Sequence, residues 1–441
     1  MTHLPPSEFI VRPDIADPLC NGGRGIRLSI PSWEEKLYTE ERTATVATST
    51  GTVAGGSTMI AFSGFQGKGL AVLHLLTPRC EPDRQFGVDD TATISVPSSL
   101  RLPHPSVPGF RFRDGLWIDA VAERNGGGAV VAGNYEGQWV VGEVTRHGTL
   151  DTAFGDDGWA SLPIPGGADA ILQEPSGRII VAGGNDGGGC CTRNWAAAVS
   201  THGELEDDFG AHGRVELPTG ESSAVDSLDL LPNGDILAQV SYAHMGCAGH
   251  PLAALTPSGQ PEPMFATRLA RFWGANGFEA FVGYAYVDAN GFTLVGTGQK
   301  GCTMGFPSSE LSATGLIARF RADGEPADPT TRFPTRMYGY LWVFPNGHDS
   351  VILASSWADK IGPSLTALQP NGSADPRFGS RGWVQIRCPS MEGGRGVEAL
   401  TNVSVTKGAP GEITLVAEVE HDLVTVKPSE RDELQLIRLR L

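Results

Sequence analysis

Apolar residues along this chain come in short bursts that either alternate with polar ones or run solid for a few positions, and nearly every burst stops at a glycine-bearing turn. Alternation of period two marks a half-buried strand, and a short solid run marks a strand covered on both faces. Between Gly213 and Phe265, residues 214–217 alternate and read as the closing strand of one unit. Residues 224–231, 235–240 and 252–256 then read as strands a, b and c of the next. The a–b turn is Pro232-Asn233-Gly234 and strand c ends at Pro257-Ser258-Gly259, whose glycines supply the positive φ such tight turns need. The a–b turn returns as Pro175-Ser176-Gly177, Ala289-Asn290-Gly291 and Pro345-Asn346-Gly347. No stretch shows a convincing helical apolar stripe, so no amphipathic helix is expected.

The pattern repeats. A turn glycine behind a small or polar residue recurs at Gly148, Gly203, Gly259, Gly324 and Gly372, at intervals of 55, 56, 65 and 48 residues. A few residues later comes an aromatic anchor: Phe154, Phe209, Phe265, Phe333 and Phe378, with Phe86 earlier. Tandem four-stranded meanders without helices predict an all-β fold, a seven-bladed β-propeller of four-stranded antiparallel blades. The seven c strands fall near 70–75, 139–144, 195–199, 252–256, 316–320, 365–368 and 436–441, so the last blade lacks its fourth strand. Asp17-Pro18-Leu19-Cys20-Asn21-Gly22 near the start parallels Asp375-Pro376-Arg377-Phe378-Gly379-Ser380. The N-terminal strand should therefore pair in the C-terminal blade, closing the ring and removing its open edges. Residues 1–16 are expected as an extended tail and 17–441 as one propeller domain.

Composition narrows the partners. The 441 residues carry a formal charge of −17, which disfavours a nucleic-acid surface built on clustered Lys and Arg. No apolar run approaches the roughly 20 residues that span a bilayer. No signal peptide is visible at the N-terminus, yet seven cysteines lean towards an oxidising, extracellular or periplasmic setting. The odd count leaves one thiol unpaired or intermolecular.

The phrase Gly148-Thr149-Leu150-Asp151-Thr152-Ala153-Phe154-Gly155, followed by Gln173-Glu174-Pro175-Ser176-Gly177-Arg178-Ile179-Ile180-Val181-Ala182-Gly183, resembles the delta-60 repeat of bacterial β-propeller proteins. The resemblance covers the blades around 145–260 and residues 369–384, and is weaker elsewhere. It implies a propeller, typically bacterial and often exported, and it implies no activity and no catalytic residues.

A meander puts the a–b and c–d turns at one end of every sheet and the b–c and d–a connections at the other. The first set is tight. The second is long and irregular, including 97–117, 184–194, 218–223, 241–250, 296–314, 355–363 and 388–396. Variable loops on a rigid frame are where binding usually sits, so this second face and the channel mouth are the candidate surface. Asp119, Asp169, Asp226 and Glu398 form a column at the start of strand a, with Gly283 and Gly339 beside Tyr284 and Tyr340 in blades five and six. That arc could hold a cation or basic ligand, or the repeated Asp could serve the repeat by capping backbone amides. Trp117, Arg193 and Trp357 are read as loop residues on this face that could contact a ligand.

Cysteine placement adds two readings. Cys20 and Cys80 precede the fourth strands of the last and first blades, neighbours in a closed ring, so a disulfide between them would tie down the closure. Cys190, Cys191, Cys247, Cys302 and Cys388 lie on the loop face with unassigned pairing. The run His244-Met245-Gly246-Cys247-Ala248-Gly249-His250 has soft metal-ligand chemistry without the spacing of a known site. The sequence requires no cofactor, and a metal at the channel mouth is not favoured. The reading is a monomeric, non-catalytic scaffold for a protein or glycan partner. The alternative is a hydrolase or lyase at the channel mouth, with the acidic residues, Cys247 and His250 as candidate groups.

Overall fold

In the computed structural model Val130, Val131, Val140, Val141, Ile179, Ile180 and Val181 are completely buried, so the solid apolar runs are strands covered on both faces. The structure describes residues 26–29, 46–53, 57–64, 70–88, 91–98, 100, 115–184, 192–222, 224–244, 247–249, 252–276, 280–299, 314–328, 330–334, 341–346, 350–355, 364–369, 371, 373–378, 383–385, 399–407, 412–420 and 433–440.

After β1 (Ile26–Ser29), the first sheet is β2 (Val46–Val53), β3 (Ser57–Gly64), β4 (Leu70–Leu76) and β5 (Thr91–Ser95). The second is β6 (Leu116–Glu123), β7 (Ala129–Tyr135), β8 (Gln138–Val144) and β9 (Trp159–Pro165), and the third β10 (Gly167–Gln173), β11 (Ile179–Gly184), β12 (Thr192–Val199) and β13 (Arg214–Ser222). The fourth holds β14 (Ala224–Leu230), β15 (Ile236–His244), β16 (Cys247–Gly249) and β17 (Leu252–Leu255), followed by the helix α1 (Pro263–Asn276). The fifth is β18 (Ala280–Asp288), β19 (Gly291–Gln299), β20 (Thr314–Phe320) and β21 (Thr331–Pro334); the sixth is β22 (Leu341–Asn346), β23 (Ser350–Ser355), β24 (Ser364–Leu368) and β25 (Trp383–Gln385). In the last, β26 (Ala399–Lys407), β27 (Glu412–Glu420) and β28 (Glu433–Arg440) are joined by β1, which pairs antiparallel with β28 from Ile26↔Leu436 to Ser29↔Glu433. Seven four-stranded antiparallel sheets are thus present among the described residues, as expected of a propeller.

First strands of successive sheets lie side by side, β2 against β6, β6 against β10, β10 against β14, and β2 also against β26. The core is a series of layers between sheets. Met59 and Leu73 of the first sheet meet Leu116 and Val131 of the second, and Trp139 and Phe154 of the second meet Ile179 and Val199 of the third. Outer strands alternate as read: β5 buries Ala92 and Ile94 and exposes Thr93 and Ser95.

At the turn end one lock recurs. An acidic residue after the c–d turn sends its N–H back to strand c (Asp83 to Leu75, Asp151 to Glu143, Glu206 to Ala198, Glu262 to Ala254, Asp375 to Ala367) and its carbonyl accepts the N–H of the Phe three residues on. That Phe is buried at 86, 154, 209, 265 and 378. The next residue then bonds the following sheet's turn: Gly87 N–H to His147 O at 2.9 Å, Gly155 to His202 at 2.8 Å, Gly210 to Ser258 at 2.8 Å. Among the described residues the first four sheets are thereby indexed one to the next.

Several expectations need correcting. α1 stands where the fourth blade's outer strand was expected. It buries Phe265, Leu269 and Phe272, stacks Phe272 edge-on against Phe320 at 4.8 Å, and holds the next sheet's turn through Arg268 to Glu325 at 2.9 Å. The fourth sheet reaches four strands because β16 and β17 both pair with β15. Phe333 is not a connection anchor: it lies within β21 opposite Gly315. The 218–223 connection is not a long loop, since β13 runs to Ser222 and β14 starts at Ala224. Residues 1–16 lie outside the described residues.

Phe209→Ala should cost about 3–5 kcal/mol, because it empties a site 1% exposed between the third and fourth sheets. Denaturant titration checks this, and a loss below about 1 kcal/mol would remove the anchor from its assigned role.

Candidate functional site

The acidic column rests on a backbone device. In β6 the register passes from Ile118↔Gly133 to Ala120↔Ala132, leaving Asp119 as the extra residue of a bulge. In β10 the pair Ala168–Asp169 faces the single Gly183, and in β14 Asp226 is extra between Val225↔Val240 and Ser227↔Gln239. The glycines opposite are demanded by the bulge: a Cβ on Gly133 would stand 1.8 Å from the Trp117 carbonyl oxygen, and one on Gly183 2.0 Å from that of Gly167. In β18, where Gly283 replaces the acid, pairing with β19 runs without a shift. Acid and bulge go together in three successive sheets.

Asp119, Asp169 and Asp226 are all half-buried. Asp169 Oδ2 accepts the N–H of Val225 in the next sheet's first strand at 3.4 Å. Ser63 Oγ does the same for Ile118 N–H at 2.7 Å, and Gln239 Oε1 for Ala285 N–H at 2.8 Å. At Asp169 the column therefore caps a backbone amide, as a repeat-wide structural residue would, while keeping part of its surface open.

Other expected site residues are placed differently. Trp117 is not in a loop: it lies in β6 opposite Asn134 and is 6% exposed. Arg193 belongs to β12, with its exposed guanidinium 3.3 Å from Glu216 of β13. Tyr284 is half-buried in the middle of β18 rather than opening it. Two residues on, burial pushes the Tyr286 phenol up, with Asp288 and Asp229 adding to the shift. The His244–Cys247 stretch is not an irregular connection but a hairpin, in which His244 faces Cys247 and Tyr242 faces Gly249. Glu398, Tyr340, His250, Trp357, Cys20, Cys190, Cys191, Cys302 and Cys388 lie outside the described residues.

The turn end is richer in paired charge than the sequence reading anticipated. Arg124 joins Glu143, at 2.9 Å, to Asp151; Arg178 joins Glu174, at 2.7 Å, to Glu206, at 3.6 Å; Arg377 holds Asp375 at 2.7 Å. Burial raises the Glu143 carboxyl against the opposing pull of Arg124, with the Asp151 charge adding to the rise. The Arg377 hydrogen bond holds Asp375 below the ordinary carboxylate range. The signal was present as an acid three residues ahead of each anchoring Phe. A cavity of about 420 Å³ opens at this end between the first two sheets, lined by Asp83, Glu123, Gly127, Arg146 and His147. Among the described residues no three His, Cys, Asp or Glu side chains are grouped to hold a metal ion. No described helix is long and apolar enough to cross a membrane.

No protein-family model matches the chain, and no curated protein is similar to it. Among solved structures it is similar to the polysaccharide lyase Uly1, at 10% identity over 100% of both chains with a TM-score of 0.47. It is also similar to a protein of unknown function from Dyadobacter fermentans, at 11% identity over 95% of this chain and 99% of that one with a TM-score of 0.40. A third is a subtype N11 neuraminidase-like protein of A/flat-faced bat/Peru (H18N11), at 9% identity over 98% and 96% with a TM-score of 0.43.

Asp375 carries a pH prediction. Its folded pKa lies below the unfolded one, so it contributes stability above the ordinary carboxylate range that is lost as pH falls through the folded value. Asp375→Asn should melt lower than wild type at neutral pH and equally in strong acid. A gap independent of pH would assign the loss to packing instead of charge.

Proposed function

We propose that the protein is a non-catalytic binding scaffold, a closed seven-bladed ring of the delta-60 repeat type, whose b–c and d–a loop face and channel mouth hold a protein or glycan partner. The observation that carries this reading is the bulged acid in three successive first strands. Bulges re-aim a side chain at the cost of one ladder position, and they are retained where that direction matters. Asp119, Asp169 and Asp226 are thereby half-buried acidic residues on neighbouring sheets, held by strands instead of flexible loops. Carboxylates held this way favour a partner bearing cationic groups, and the net charge of −17 attracts such a partner over distances of a Debye length. An exported, oxidising setting agrees with Cys80, which is disulfide-bonded.

Binding to lysine oligomers and to chitosan oligosaccharides, as basic peptide and basic glycan probes, tests the proposal. Asp119→Asn/Asp169→Asn/Asp226→Asn should bind the recognised probe about tenfold or more weakly than wild type, a difference of roughly 1.4 kcal/mol. Equal binding by both proteins would reduce the attraction to net charge and refute the site. Release of reducing ends or unsaturated sugars from a polysaccharide panel would refute the non-catalytic reading.

A further inference from the structure

Cys80 occupies a glycine's place. The c–d turns close with Gly148, Gly203, Gly259 and Gly324 at φ of 77°, 83°, 74° and 82°, each N–H bonding the residue three back. In the first sheet the same turn closes with Cys80, at φ 60° and with its N–H on Thr77 O at 2.8 Å. A side chain there is strained, and its Cβ position is the surface on which the preceding sheet's phenylalanine rests. A Cβ built on Gly203, Gly259 or Gly324 would lie 3.4 Å from Phe154, 2.9 Å from Phe209 or 2.9 Å from Phe265. At Gly259 and Gly324 a side chain in this column would crowd the facing phenylalanine, so a cysteine there is best matched by a smaller facing residue.

The sheet that contains β1 is the last, and the segment leading into β1 carries Cys20 where the parallel phrase carries Phe378. Cys80 is 1% exposed and its sulfur is disulfide-bonded. The described residues beside the other cysteines in sequence lie far from it. Thr192, Gln299 and Gln385, the described residues nearest in sequence to Cys191, Cys302 and Cys388, and Cys247 within β16, all stand at the sheet end opposite the 77–81 turn. The seven residues of β4 alone span about 23 Å, against a disulfide reach of about 7 Å between Cα atoms.

We infer that Cys80 is bonded to Cys20, and that this disulfide replaces, at the junction of the last and first sheets, the phenylalanine-on-glycine contact used between sheets elsewhere. The junction is a modification site: noncovalent in reducing conditions, covalent in oxidising ones. Formation takes a disulfide donor. One cysteine thiolate attacks a donor sulfur and releases a donor thiolate; the second cysteine thiolate displaces the other donor sulfur from the mixed disulfide. Two protein thiols lose two protons and two electrons, and the donor disulfide becomes two thiols.

Non-reducing peptide mapping of the full chain, alkylated before digestion, should yield Cys20 linked to Cys80. Cys80 linked to any other cysteine, or both recovered alkylated without reductant, overturns the assignment. The replacement is tested separately by two double variants. Cys20→Ser/Cys80→Ser should melt a few degrees below wild type, and Cys20→Phe/Cys80→Gly, which restores the repeat's own pair, should recover most of that loss. A Phe/Gly variant that melts no higher than the Ser/Ser variant overturns the equivalence of bond and contact.

Discussion

The pairing of β1 with β28 is the constraint on which the rest of the structure depends. A meander of repeated sheets ends with an unpaired edge, and an exposed edge templates aggregation. Here the edge of β28 is covered by four residues from the other terminus, in the antiparallel register Ile26↔Leu436 through Ser29↔Glu433. The last sheet is then built from segments more than four hundred residues apart in sequence, β1 and β28. Position in the repeat, and with it the end of each sheet on which a residue falls, follows from that pairing.

Between sheets the work is divided by end. At the turn end, the acid, the phenylalanine and the glycine after it form one unit that bonds the turn of the next sheet at three described junctions, with arginine–carboxylate pairs nearby. The phenylalanine is buried, and the Arg124 and Arg178 pairs beside it are themselves only partly exposed. Ser63, Asp169 and Gln239 each accept a backbone N–H from the first strand of the neighbouring sheet, so these polar groups are satisfied between sheets. At Asp169 the bulged carboxylate braces the neighbouring sheet by accepting the Val225 N–H.

Strands and tight turns were legible because period-two alternation, solid apolar runs and Asn-Gly or Ser-Gly pairs report local geometry directly. The c strand read at 139–144 is β8, and the one read at 316–320 falls within β20. Bulges were not legible, since one extra residue leaves the apolar pattern almost unchanged; only Gly133 and Gly183 betray them, through the backbone oxygens that a side chain would strike. The helix α1 was hidden by its first buried residue. Phe265 satisfied the anchor column, so the spacing Phe265, Leu269, Phe272 was not read as the i, i+4, i+7 stripe that it is. Trp117 and Arg193 were misplaced for a related reason: strands β6 and β12 extend further into the connections than composition suggested. Asp119, Asp169 and Asp226 could be read as equivalent positions in the repeat, although the bulge that each occupies could not.

Deletion of residues 17–30, followed by thermal and denaturant unfolding of the remaining chain, addresses the central claim most directly. The account predicts that uncovering β28 abolishes cooperative unfolding or drives aggregation. A truncated protein that stays monomeric and melts cooperatively at the wild-type temperature would contradict it.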